Sequence, residues 1–366
     1  MRKTILAVFA AALLAGCEKD DGSADFEKGV AAYSVRDLNA AAASFGMAAS
    51  KNPTNFMARI KLALVNVDLG EIPAAKAAVE SAIAIYPCSA EAKLIEGQIA
   101  YYGKDYALAK KNFNELAEAK QLPAGLRSNA LAGRAVMEIA ANLFDRARLT
   151  LWRAVRLDRK NAAAWYHLGH LSRDTYRFDD AALEQFEMAG RLMKDPARAK
   201  AIARDTIPAL RESLRARIAS KPGAAKRDPG AAAKLVAEAE ALAAKDPKKA
   251  AAKFAEAYAK DPLSYAAAWN FAKSSVSGAK TDLEVTKAIE AFQDAIDQRP
   301  NSQDTYRTAA RAALGRNKPM RAEKFLSQAL AHDPENKATL EIYVQTLRRL
   351  GKTTEAKLYE AYLKEL

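Results

Sequence analysis

Several short patterns in this chain could carry chemistry. His167 and His170 lie three residues apart, with Asp174 one helical turn further on, a spacing that can set metal ligands on a common helix face. On a helix in this register, however, His167 faces the partner helix or solvent and His170 faces outward. The pair therefore reads as a polar contact, and no metal site is expected. His332 stands alone beside a turn and is expected to be solvated. Ser277-x-x-Lys280 matches a serine-hydrolase fragment, but the companion Ser-Asp-Asn and Lys-Thr-Gly are missing, so an insertion turn is the better reading. Gly351-Lys352-Thr353 matches the end of a phosphate-binding loop. Thr346 stands where its first glycine belongs and no strand precedes it, which leaves a turn between two helices. Two cysteines, Cys17 and Cys88, are too few for a metal or redox cluster. No catalytic residue and no cofactor are expected, and an enzyme is the least favoured reading.

Cys17 has a different context. The chain begins MRKTILAVFAAALLAGC, in which Arg2 and Lys3 precede an uncharged, mainly apolar stretch, Thr4 to Leu14. That stretch is shorter than the ~20 residues that span a bilayer. A basic start, a short apolar run and small residues before a cut describe a secretory signal. Leu14-Ala15-Gly16-Cys17 resembles the lipobox of bacterial lipoproteins. The resemblance implies cleavage after residue 16 and acylation of Cys17, and two or more acyl chains anchor a protein stably. Residues 17–25 then form a polar tether. Glu18 stands where the family's inner-membrane retention signal has aspartate, which points to a lipid-anchored, periplasm-facing protein of the outer membrane. Cys88, directly after Pro87, has no internal disulfide partner once Cys17 is acylated. A small, partly buried turn residue is the favoured reading over an intermolecular disulfide.

The elements behind these residues follow from composition and period. Half of the 366 residues are apolar, alanine dominates, and no segment alternates like a strand. Pro53 and Pro87 are 34 residues apart, as are Pro300 and Pro334. Twelve residues before these prolines stand Ala41, Ala75, Ala288 and Ala322, and Ala250 has the same offset from Pro262. Seven residues after each alanine comes another: Ala48, Ala82, Ala295, Ala329 and Ala257. Phe45, Phe113, Phe254 and Phe292 fall four after such positions, and Trp165-x-x-Leu168-Gly169 precedes Ala181. This grammar resembles the tetratricopeptide repeat, a helix-turn-helix unit.

The resemblance implies an all-α fold: an α-solenoid of about nine repeats in two arrays, behind the lipoprotein signal. The repeats run 22–55, 56–89, 90–123, 128–161 and 162–196, then 231–264, 265–302, 303–336 and 337–366. The fifth is out of step, since Phe186 and Ala189 come one residue late, and the seventh has an insertion near Ser277 to Lys280. Residues 26–220 form the first array, closed by a helix over 197–219 that is expected to break near Pro208. Residues 221–230 read as a linker, and 231–366 as the second array.

In such repeats, positions 2, 5, 9 and 12 of each first helix line a concave groove. Transferred here, these positions give an apolar zone including Phe26, Tyr33, Ile60, Leu64 and Tyr101, a mixed zone of Tyr166, His170 and Arg173, and a cationic zone of Arg307, Arg311 and Arg348 that could grip a carboxylate. The register is good to about one residue, and several of the apolar side chains could instead belong to the core.

The formal net charge of +13 is uneven: residues 191–227 hold eleven Lys or Arg against three acids. Arg198, Lys200, Arg204, Arg211, Arg215 and Arg217 form a basic patch. It is either a solvated face or a contact for an acidic partner. The expected partner is a protein or peptide of the bacterial envelope, with no nucleic acid. The expected role is a non-catalytic scaffold in pilus, secretion, outer-membrane or peptidoglycan assembly. The alternative is a glycan- or lipid-binding protein using the apolar groove.

Overall fold

The computed structural model describes residues 21–193 and 195–366; the signal segment and Cys17 lie outside them. All regular structure among the described residues is helical. The chain divides into two compact units, Met1–Ala141 with Leu157–Arg159, and Asn142–Arg156 with Lys160–Leu366.

The first unit contains α1 (Ser23–Ser34), α2 (Leu38–Lys51), α3 (Phe56–Leu69), α4 (Ile72–Ile85), α5 (Ala90–Tyr102), α6 (Tyr106–Glu118) and α7 (Ala124–Ala140). Helix α8 (Phe144–Leu157) lies almost wholly in the second unit. It is followed there by α9 (Ala162–His170), α10 (Asp179–Leu192), α11 (Pro196–Ala201), α12 (Ile207–Ala219), α13 (Pro229–Leu242) and α14 (Pro247–Lys260). Helices α15 (Tyr265–Gly278), α16 (Asp282–Gln298), α17 (Gln303–Gly315), α18 (Pro319–His332), α19 (Lys337–Arg349) and α20 (Thr353–Glu365) complete it. Most helix pairs fall within the repeats read from the prolines and alanines, although α7 begins four residues before the fourth repeat and α13 two before the sixth.

Local chemistry starts and stops these helices. Asn55, Ser89, Asp105 and Asn336 accept hydrogen bonds from the backbone N–H three residues on, which caps their helices. In several repeats the turn between the two helices contains one left-handed residue. Arg36, Gly70 and Lys104 supply it at intervals of 34, and Asn317 and Gly351 do so at the same interval in the second unit. Gly351-Lys352-Thr353 is thus a turn between α19 and α20, and Ser277 to Lys280 spans the last residues of α15 and the start of the turn to α16.

The repeated small residues have a geometric cause. A Cβ on Gly29 would stand 2.7 Å from the Phe45 ring, and one on Gly169 would stand 3.0 Å from the Phe186 ring. Phe113 lies between Gly97 and Gly133, whose added Cβ atoms would meet it at 2.9 and 2.7 Å. The phenylalanine therefore fills the space within a repeat as well as toward the next one. The alanines at the conserved spacing, including Ala41, Ala75, Ala181 and Ala322, are completely buried.

Three expectations change. The register slip in the fifth repeat is absorbed by a π turn, Leu171–Tyr176, which takes up an extra residue between α9 and α10. The helix over 196–219 does not break at Pro208. It widens into a second π turn, Ile202–Thr206, immediately before it, and the wide turn accommodates the missing N–H and the ring. Residues 221–230 do not separate two arrays, for they fall inside the second unit. Lys221 bonds Asp294 and Asp297 at 2.5 and 2.6 Å, and Arg217 bonds Asp297 at 3.2 Å, which ties this stretch to α16.

Candidate functional site

The residues assigned to the groove lie on first helices or, for Arg173, in the π turn after α9. In the first unit, Val30 and Met57 are 39% and 40% exposed, and Tyr102 is 58% exposed. Leu64 is half-buried, 34 residues after Val30 and so at the equivalent position of the next repeat. It packs on a core cluster formed by Ile60, Ala63, Val79 and Ile95. Tyr101 is half-buried, and its ring lies 5.6 Å from that of Tyr102 and 5.9 Å from that of Tyr106. Tyr33 donates its hydroxyl to Asp68 at 2.9 Å, and Arg36 pairs with the same carboxylate at 3.0 Å.

Two groove assignments need correction. Ile60 is completely buried in the inter-helix core, because α3 turns that position toward α4 rather than outward. Phe26 packs its ring 5.5 Å from Phe45, on the glycine-lined interior of its own repeat. What remains accessible is a band from Val30 and Met57 past Leu64 to the tyrosines at the end of α5.

In the second unit, Tyr166, His170 and Arg173 do come together. The Tyr166 and His170 rings are 4.6 Å apart, and Arg173 approaches His170 Nδ1 at 3.1 Å. Asp174 completes the cluster, bonding Arg173 at 2.7 Å and His170 at 3.1 Å. Its bond from Arg173 holds its carboxyl below the usual carboxylate range, although partial burial opposes this. His167 is turned inward. Burial, reinforced by the charge of His170, lowers it to about 4, so it is neutral at pH 7. Among the described residues no group of three His, Cys, Asp or Glu side chains is placed to hold a metal ion.

The cationic zone is already engaged within its own repeats. Arg307 donates to Asn336 at 3.1 Å and also bonds Asp304, while Arg348 bonds Glu360 at 2.8 Å. Arg311 is exposed. The basic patch is similarly tempered. Arg198 pairs with Asp195, Arg204 with Asp205, Arg211 with Glu187 and Arg217 with Asp297. Lys200 and Arg215 are exposed. Asp195 and Asp205 are already among the three acids of this segment, so it is Glu187 and Asp297, from outside it, that lower its excess of positive charge. Cys88 is an exposed free thiol in the turn between α4 and α5, not a partly buried one, because Pro87 leads the chain out past the helix ends.

The most demanding polar cluster lies on second helices, where no candidate was expected. Arg148 of α8 is 2% exposed. It donates through Nε to Tyr359 at 2.9 Å, through Nη1 to Ser327 at 2.7 Å, and through Nη2 to Asp145 at 3.1 Å and Tyr343 at 3.3 Å. Its guanidinium carbon lies 4.2 Å from the Tyr176 ring centre and 5.2 Å from that of Trp152. Tyr176 and Tyr359 both donate to Asp145, at 3.0 and 2.7 Å.

Beside this cage, His332 is not solvated: its side chain is only 3% exposed. It bonds Asp180 at 3.2 Å and Glu184 at 2.9 Å, while Gln328 donates to Asp180 at 2.8 Å. Burial works against its charge, but the two carboxylates prevail and raise it to about 9. One signal could have been read in advance. The outer helix of a last repeat is normally polar, yet α20 carries Tyr359 and Tyr362, both fully buried.

Tetratricopeptide-repeat family models match residues 60–123 and 284–339. No curated protein matches the sequence. Among solved structures, the Cut9–Hcn1 hetero-tetramer of the APC/C is 14% identical, with a TM-score of 0.39, covering 98% of this chain and 81% of that one. A tetratricopeptide repeat protein from Parabacteroides merdae is 12% identical, with a TM-score of 0.33 and coverage of 90% and 99%. PilW, a type IV pilus biogenesis factor, is 17% identical, with a TM-score of 0.31 and coverage of 65% and 92%.

Proposed function

We propose that this chain is a non-catalytic scaffold, tethered to a bacterial envelope membrane through lipid on Cys17, which holds a partner polypeptide against the first helices of its N-terminal unit. Tetratricopeptide repeats commonly present such faces to protein partners, and this chain carries them. The observation that supports the location is the exposed band of Val30, Met57 and Tyr102, flanked by half-buried Leu64 and Tyr101. Apolar and aromatic side chains in a row suit the apolar face of an amphipathic helix. The tether rests on the N-terminal sequence: basic residues, a short apolar run and Leu14-Ala15-Gly16-Cys17. The position of Glu18 supports an outer-membrane address and a partner from an envelope assembly such as a pilus, secretion or cell-wall machine.

The test begins with cross-linking in intact cells to identify the bound protein, followed by affinity measurements with purified variants. Met57→Glu with Leu64→Glu places charge on the band without disturbing Ile60. It is expected to weaken binding at least ~30-fold, the effect of losing central apolar contacts. Unchanged affinity, with binding abolished instead by Lys200→Ala and Arg215→Ala, would move the interaction to α11 and α12. For the tether, Cys17→Ser is expected to abolish fatty-acid labelling; a labelled variant would refute it.

A further inference from the structure

In the last three repeats, the turns inside a repeat and the turns between repeats differ in chemistry. The turns inside them are laced side by side. Arg316 donates to the Val276 carbonyl at 2.9 Å, and Arg349 donates to the Leu314 carbonyl at 3.2 Å and to Asn317 at 2.9 Å. Lys318 pairs with Asp282 at 3.2 Å and Lys352 with Glu323 at 2.6 Å, which joins the N-terminal ends of α16, α18 and α20 into one rim. Two apolar side chains stand on it. Leu283 and Met320 are each second in their helix and are 65% and 74% exposed, the most exposed large apolar side chains of this unit among the described residues. Around them, residues 280–287, 316–324 and 349–357 hold nine Lys or Arg against four acids. Three of those acids are engaged within the rim: Asp282 by Lys318, Glu323 by Lys352, and Glu284 by the backbone N–H groups of Lys280 and Thr281. Lys280, Lys287, Arg321, Lys324 and Lys357 are exposed, and none of them enters these pairs. The turns between the same repeats are different: residues 297–304 and 332–337 hold two Lys or Arg, four acids and no large apolar residue.

We propose that this rim rests on an anionic lipid surface, with Leu283 and Met320 entering the headgroup–acyl boundary and the lysines and arginines meeting lipid phosphates. Each apolar side chain stands alone at a turn tip among cations, whereas a docked helix needs a continuous apolar stripe. Apolar tips ringed by cations suit a membrane interface, where apolar burial and attraction to anionic headgroups act together. Lysine and arginine stems are themselves apolar, so they lie along the boundary while their charged ends reach the phosphates. The charge is also one-sided. With three of its acids engaged, the rim presents a positive field, and the acidic turns between the repeats are repelled by the same surface, which decides which turns approach. The inference rests on the tether reading only in that a lipidated chain is held beside a bilayer; the surface itself is read from the second unit.

Vesicle flotation tests this. The protein is the chain from residue 18 onward, which lacks the lipid and keeps every described residue, so labelling at Cys17 can fail without touching the result. Partitioning onto mixed phosphatidylcholine and phosphatidylglycerol vesicles is expected to exceed that onto pure phosphatidylcholine by about tenfold, and to fall as salt is raised. Leu283→Ser with Met320→Ser alters two exposed side chains, leaves the core intact and is expected to lower partitioning about tenfold. Met47→Ser, at an exposed apolar position of the first unit, is expected to change nothing. Lys280→Gln with Arg321→Gln and Lys324→Gln is expected to remove the preference for phosphatidylglycerol. Equal partitioning onto both vesicle types would overturn the proposal, as would a Leu283 and Met320 double variant that binds like the parent. A chain that ignores vesicles, yet is cross-linked to a protein in cells through Met320→Cys, would also overturn it and reassign the rim to a protein partner.

Discussion

The two units hold themselves together by different means. In the first, Phe45 lies on Gly29, Phe113 lies between Gly97 and Gly133, and alanines such as Ala41 and Ala75 are wholly buried. Its contacts join helices that are neighbours in sequence, as expected when stability is a sum of repeat and nearest-neighbour terms. The second unit uses the same hairpins but adds bonds across 146 to 214 residues of sequence, from Gln185–Ala331 to Asp145–Tyr359. A stack of near-identical alanine-rich surfaces offers many similar ways to pack. A buried guanidinium that needs Ser327, Tyr343 and Tyr359 at once selects one of them. Such groups contribute specificity more readily than net stability.

The contrast can be broken most strongly at Arg148. Arg148→Ala takes the guanidinium donor from Asp145, Ser327, Tyr343 and Tyr359, and removing one member of a buried charged network costs roughly 3–5 kcal/mol. Trp152, Trp165 and Trp269 all lie in the second unit and none in the first, so tryptophan fluorescence reports the second unit alone. Its urea midpoint should fall steeply, while exchange protection of α1 to α6 stays unchanged. Loss of protection in both units would show that the network is not confined to one.

The next effect is pH dependence. All three histidines belong to the second unit. His332 faces Asp180, Glu184 and Gln328, with the Tyr306 ring centre 6.3 Å away on α17. Raised to about 9 in the folded chain against about 6.5 unfolded, it contributes stability that is complete below pH 6.5 and lost as pH rises through 9. The loss is on the order of 3 kcal/mol. His167, lowered to about 4, acts oppositely: stability falls as pH drops from 6.5 toward 4. The fluorescence midpoint should therefore peak near pH 6.5, and His332→Gln should flatten its alkaline limb. A limb unchanged in that variant would assign the loss elsewhere.

Overpacking tests whether damage stays local. Gly169→Leu drives a side chain into the Phe186 ring and should cost about 1–3 kcal/mol. Hydrogen exchange should rise first in α9 and α10. Because Gln328 and His332 of α18 bond Asp180 and Glu184 of α10, a smaller rise in α18 is expected, with none in α3 or α4. The smallest effect belongs to the first unit's turns. Lys104 adopts the left-handed conformation that glycine adopts at Gly70. Lys104→Gly should relieve strain and stabilise by up to ~1 kcal/mol, and Gly70→Ala should destabilise by about as much. A thermal melt followed by circular dichroism reads both, and the same sign for both would contradict a shared turn geometry.

Much of this was legible in the chain itself. The 34-residue spacing of prolines and alanines located the hairpins, because each buried position recurs whenever the same packing recurs. Phe186 and Ala189 falling one residue late marked a slip in the fifth repeat, but only the structure showed that a π turn takes it up. The apolar band could be placed only to within a position or so. Ile60 and Leu64 sit four residues apart on one helix, and a small rotation decides which is covered.

What tertiary structure alone decided is the long-range chemistry. Period and propensity describe contacts between neighbours in sequence, where geometry repeats. Nothing local in Arg148 or His332 distinguishes a buried cation from a solvated one. Arg148 acquires its meaning from Tyr359, more than two hundred residues away, and His332 from Asp180 on a helix that no periodicity pairs with it. The closure of the second unit also turned the expected linker at Lys221 into an anchored segment, through carboxylates on α16. Repeats specify how each hairpin packs on the next. How the chain folds back on itself depends on the few side chains that break the repeat, and their partners are known only once the chain has returned.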